Sequence, residues 1–112
     1  MINLQILSKL KEWKSMQNFK EEIFMNNIKK YNGQLNVVGN KVKFYRESKN
    51  ISLATLSNKL MLLGIDIPKN SLQRLESGKR IIKEYELVAI AKVLDISIEL
   101  LVADFKKELE KQ

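Results

Sequence analysis

Between Leu4 and Tyr31, apolar residues fall at Ile6, Leu7, Leu10, Trp13, Met16, Phe19, Ile23, Phe24, Ile28 and Tyr31. Steps of three and four residues mark a helix with one apolar stripe. The run of threes makes that stripe drift around the axis, so the pattern predicts one long bent helix or two shorter ones. Asn32-Gly33 breaks the pattern, and Gln34 to Gly39 reads as a short connection. Five further helical segments follow. The first covers about 40–49, with Val42 and Tyr45 inward. The second begins after Ser52, a good N-cap, and its Leu56, Leu60 and Leu63 repeat at i, i+4 and i+7 as a buried stripe. Gly64 can end it by turning left-handed. The third starts at Pro68, which suits a first helical turn because its missing N–H has no partner there. It buries Leu72 and Leu75 and ends at Ser77-Gly78. The fourth, about 84–94, turns Leu87, Ile90, Ala91 and Leu94 inward and stops at Asp95. Ser97 caps the fifth, whose Leu101, Phe105 and Leu109 continue one face almost to the C-terminus. No stretch reads as a strand and no repeat is visible, so an all-α fold is expected.

Composition narrows the chemistry. Four glycines and one proline in 112 residues leave few turns, which argues against a many-stranded sandwich or barrel. The chain has neither cysteine nor histidine. That removes disulfides, thiol nucleophiles, the usual zinc sites and any imidazole base. An enzyme would have to work with carboxylates, hydroxyls or lysines, and no nucleophile–base pair stands out. No enzymatic activity, metal or cofactor is expected. Residues 1–20 show no apolar stretch followed by a small-residue cleavage site, and no apolar run is long enough to span a bilayer. A cytoplasmic, membrane-free protein is expected.

The formal net charge of +7 is unevenly placed. Residues 38–80 hold nine basic and three acidic side chains, a net +6; residues 1–37 carry +3 and residues 81–112 carry −2. The middle is the positive segment. By itself an excess of this kind fits nucleic acid, anionic lipid or plain solubility.

The order of residues is more specific than the charge. Val42-Lys43-Phe44-Tyr45-Arg46, Ile51-Ser52, Leu56-Ser57, then Leu72-Gln73-Arg74-Leu75-Glu76-Ser77-Gly78-Lys79-Arg80, Leu87-Val88-Ala89-Ile90-Ala91-Lys92-Val93-Leu94 and Ile98-Glu99-Leu100-Leu101 follow one another with short spacers. This series resembles the Cro/CI-type helix-turn-helix family of phage and bacterial regulators. The resemblance implies a five-helix lambda-repressor-like helix-turn-helix domain, at about 37–103, with an N-terminal helical extension at 1–36 and a helix end at 104–112. It also implies a transcriptional regulator, a repressor acting as a homodimer on a palindromic stretch of double-stranded DNA. The recognition helix would be about 68–77. Lys69, Asn70, Ser71, Gln73 and Arg74 would face base edges, where Asn pairs with adenine and Arg or Lys donates to guanine. Ser52, Lys79, Arg80, Lys41, Lys43 and Lys49 would meet phosphates. Arg46 and Glu76 occupy the places of a structural ion pair between the first and third helices of the domain. The chain departs from the family at three places: Leu53 stands where a phosphate-contacting Gln is usual, Ser57 replaces the usual Ala, and Met61 to Ile65 lengthen the turn before Pro68.

Two surfaces are left over. The N-terminal stripe with Trp13, Phe19 and Phe24 reads as a packing face rather than a cofactor pocket. It either folds back on the domain or meets a partner, its own copy included; alternatively the natural start lies near Met25 and these residues are peripheral. The last helix, with Phe105 and Leu109, is a competing dimer seam. An antitoxin or anti-regulator that holds a protein partner through its N-terminal helix is therefore the alternative function.

Overall fold

The structure, a computed structural model, describes the backbone of residues 4–29 and 31–111 and the side chains of residues 5–17 and 31–111. The described residues form six helices: α1 (Leu4–Lys29), α2 (Gly39–Ser48), α3 (Leu53–Leu62), α4 (Lys69–Glu76), α5 (Glu84–Leu94) and α6 (Ile98–Glu110). The chain divides into two compact units, residues 1–33 and residues 34–112.

The first unit is α1, a single 26-residue helix. Ile6, Leu10, Trp13 and Met16 along it are each about half exposed, Trp13 at 57%. The side chains of Phe19 and Phe24 lie outside the described residues.

The second unit is a bundle of five short helices around one core. Val42 of α2, Leu56 and Leu60 of α3, Leu72 and Leu75 of α4, Ile90 and Leu94 of α5 and Leu101 of α6 are fully or almost fully buried. The helix α4 packs against α2 and α3, and α5 packs against α3, α2 and α6. Ser52 and Ser97 cap α3 and α6, their hydroxyls accepting from the N–H groups of Thr55 and Leu100.

Four consecutive helices end in the same way. At the ends of α2, α3, α4 and α5, a left-handed residue (Asn50, Gly64, Gly78 and Asp95) lets the following N–H reach back five residues. Ile51 donates to the carbonyl of Arg46, Ile65 to Leu60, Lys79 to Arg74 and Ile96 to Ala91, at 2.8 to 3.0 Å. This closure satisfies carbonyls that would otherwise lack partners and reverses the chain in very few residues.

That reversal corrects one sequence expectation. Leu63, expected to continue the buried stripe of α3, is 43% exposed, because the helix stops at Leu62 and the chain turns at Gly64. Ile67 fills the core instead. The hydroxyl of Ser57, itself buried, donates to the Ile67 carbonyl at 2.7 Å and holds the returning strand of chain against α3. Pro68 stands one place before the first turn of α4, as its N-cap, with ψ of 156°. Further along, Leu87 is only partly buried and Leu109 is 50% exposed.

Candidate nucleic-acid interface

The helix α4 has only eight residues, and its sequence separates two faces. Leu72, Leu75 and Glu76 point into the bundle. Lys69, Asn70, Gln73 and Arg74 are exposed, while Ser71 is half-buried on the flank. Positions four apart stack on one line of a helix, so Asn70 and Arg74 stand one turn apart along the outward face. One guanidinium N–H of Arg74 donates to the Lys79 carbonyl at 3.2 Å. This contact leans the side chain toward the turn that follows α4.

The inward face is held by charge as well as by leucines. Arg46 of α2 donates through Nε and Nη2 to the two carboxylate oxygens of Glu76, at 2.7 and 3.0 Å, and through Nη1 to the Ile51 carbonyl at 2.8 Å. Both side chains are at least nine-tenths buried. The hydrogen bond to Glu76 raises the Arg46 pKa above its ordinary value, against the opposing effect of burial. A fork-on-fork pair of this kind fixes orientation as well as distance, and it ties α4 to α2.

The expected phosphate-facing residues fall into two groups. Ser52, Lys43 and Lys79 are exposed, Ser52 at the start of α3 and Lys79 just beyond α4. The other three are committed within the protein. Lys41 pairs with Asp104 of α6 at 3.0 Å. Lys49 donates to the Asp95 carbonyl at 3.3 Å. Arg80 turns inward: Nη1 and Nη2 each sit 2.9 Å from an oxygen of Glu86. Glu86 also accepts the Lys83 N–H at 3.0 Å, as the third residue of a capping box does. The Arg80 hydrogen bond is the main cause that holds the Glu86 carboxyl below its ordinary pKa, burial opposing it and the Lys83 N–H helping. The sequence expectation places Arg80 beside Lys79 at phosphate, because both follow the third helix of the domain directly. The signal it passed over is Glu86, an acid three residues into the first turn of α5.

The second missed residue is Asn36, which bonds to the carbonyls of Leu75 and Arg80 at 2.9 and 2.8 Å. Its partners lie 39 and 44 residues away, a separation no local pattern reveals.

Two helices, α3 and α4, are thus joined by a turn through Gly64, and the second presents a polar face outward from a bundle that fixes its inner face. Residues 42–101 match the profile of the helix-turn-helix family. The chain belongs to the helix-turn-helix family. It is of the Cro/CI-type branch, and the matched span runs from Val42 within α2 to Leu101 in the first turn of α6. Comparison with curated proteins and with solved structures gives no match. As a helix-turn-helix protein it is a DNA-binding regulator, and α3 and α4, joined by the turn through Gly64, have the helix-turn-helix arrangement. Among the described residues no group of acidic side chains could hold a metal ion, and no helix is long and apolar enough to cross a membrane.

Proposed function

We propose that this chain is a sequence-specific transcriptional repressor that binds a two-fold operator as a homodimer, each copy laying α4 in a major groove. The observation that carries this reading is the outward face of α4: Asn70 and Arg74 are exposed in line, above an inner face locked by Leu72, Leu75 and the Arg46–Glu76 pair. Asn suits adenine and Arg suits guanine. Lys69 and Gln73 extend the same surface, and Ser52, Lys43 and Lys79 would neutralise phosphates at its edges. A partner of this kind places the protein where the genome is, in the cytoplasm of a bacterial cell. It calls for neither catalysis nor a cofactor.

Selection of bound fragments from random double-stranded DNA tests the proposal. Recovered fragments should share two inverted half-sites about one helical turn apart. Their affinity should fall about 10³- to 10⁵-fold between 50 and 200 mM salt, as for six to ten neutralised phosphates. An affinity that stays flat across that range overturns the reading.

A second reading is favoured by α1. Ile6, Leu7, Leu10, Trp13 and Met16 expose apolar surface on one helix, as a segment that holds a protein partner would. On this reading the protein is an antitoxin or anti-regulator, a role that can coexist with DNA binding, and a pull-down should capture a partner with the full chain but not without residues 1–24.

A further inference from the structure

Residues 34–39 connect two elements in the sequence, yet in the structure they grip the far end of the recognition helix. Asn36 uses its whole amide. Its two N–H groups donate to the carbonyls of Leu75 and Arg80, at 2.9 and 2.8 Å, and its Oδ1 accepts the N–H groups of Val38 and Gly39, at 3.1 and 2.7 Å. The chemistry fixes this orientation: exchanging the amide oxygen and nitrogen would set carbonyl against carbonyl and N–H against N–H. Neighbouring contacts tighten the joint. The Leu35 N–H donates to the Gly78 carbonyl at 2.7 Å. The Gln34 side chain lies against the Cα of Gly78, and the Cα of Gly39 lies against the Leu75 carbonyl, so closely that a Cβ on either glycine would collide.

The two carbonyls that Asn36 bridges lie on either side of the left-handed turn at Gly78. One belongs to the last turn of α4, and the other follows Lys79 directly. Asn36 is also anchored to the first residue of α2. It therefore sets how α4 is held against α2, and how the Lys79 backbone is placed relative to Arg74.

We propose that Asn36 is a positioning residue for DNA recognition, fixing the pitch of α4 and its following turn as one piece. This rests on the DNA reading above. Reading base edges needs side chains placed to about 0.5 Å, whereas neutralising phosphates tolerates much looser placement. Asn36 should therefore govern the ratio of specific to non-specific affinity more than either affinity alone.

The test is Asn36→Asp in the full chain, which keeps the shape but turns both donors into acceptors facing carbonyls. Affinity is measured for the duplex that wild type selects and for an unrelated duplex, at a temperature where circular dichroism shows unchanged helix content. The new negative charge weakens both duplexes alike, so the ratio is the readout. It should fall about tenfold, the scale of one mismatched base pair. An unchanged ratio in the folded variant overturns the assignment. If Asn36→Asp does not fold, Asn36→Ser decides: it removes both N–H donors to the Leu75 and Arg80 carbonyls without adding a charge. A smaller fall in the ratio supports the proposal, and no fall overturns it. A wild-type chain that selects no sequence overturns the DNA reading itself, and this assignment with it.

Discussion

The two faces of α4 are built on opposite principles. On one, Leu72 and Leu75 are fully buried and both carboxylate oxygens of Glu76 are tied to Arg46. On the other, Asn70, Gln73 and Arg74 stand in water, and Arg74 reaches only to the carbonyl of Lys79. Eight residues are too few to hold a helix in isolation, so the outer face owes its geometry to the inner one and to the bonds that secure its end. Substitutions on the inner face should therefore act through stability and weaken every kind of DNA binding. Those on the outer face should leave the fold alone and act on recognition. Each variant below can break that division.

The largest effect is expected from Glu76→Ala. It leaves the Arg46 guanidinium nine-tenths buried with the exposed Glu47, 3.7 Å away, in place of its forked partner, at a cost of up to about 3–5 kcal/mol. Chemical denaturation with an unchanged slope would report it directly. A loss below about 1 kcal/mol would mean that water screens the pair and that leucine packing alone orients the helix.

Next comes the pair that secures the chain just beyond α4. Glu86→Gln should cost about 1.5–3 kcal/mol at neutral pH, the range for hydrogen bonds to charged groups. It should also change the response to acid. The Glu86 pKa is lowered in the folded state, by Arg80 above all. Its contribution to stability is therefore complete above the ordinary glutamate value of about 4.3 and is lost as pH falls through the lower folded value. Between pH 5 and pH 3, wild type should lose stability faster than Glu86→Gln, as read by denaturation midpoints. Parallel curves would show that the Arg80–Glu86 pair contributes nothing, and Arg80 would return to the candidates for phosphate contact.

The same contrast explains what could be read from the sequence. The inner faces were legible because burial imposes a period: Val42, Leu56, Leu60, Leu72, Leu75, Ile90 and Leu94 recur as helices require, and the all-α fold follows from them. The period misled at Leu87 and Leu109, which keep the spacing within α5 and α6 without full burial, and where the backbone stopped obeying it. Leu63 continues the spacing of α3 past the left-handed turn at Gly64, where spacing no longer describes direction, and Ile67 takes the core position. The polar joints were illegible for a different reason. Lys41, Lys49 and Arg80 look alike in sequence to Lys43 and Lys79, and what separates them is an acid or carbonyl supplied by another element. For Asn36 the partners are forty residues away, and nothing near it in the chain announces them.

The smallest expected effect bears most directly on the outer face. Arg74→Ala removes an exposed side chain whose one hydrogen bond among the described residues is to the Lys79 carbonyl, so unfolding should be almost unchanged. Affinity for the selected operator should fall by about 1–3 kcal/mol, the contribution of one bidentate contact to guanine, while affinity for unrelated DNA stays nearly constant. Three outcomes are distinguishable by measuring both affinities together with stability. Loss on the operator alone assigns Arg74 to base reading. Equal loss on both duplexes, with a salt slope shallower by about one, makes it a phosphate contact instead. Loss of stability would show that its bond to the Lys79 carbonyl holds the turn after α4, so that one residue serves both faces and the division between them fails at Arg74.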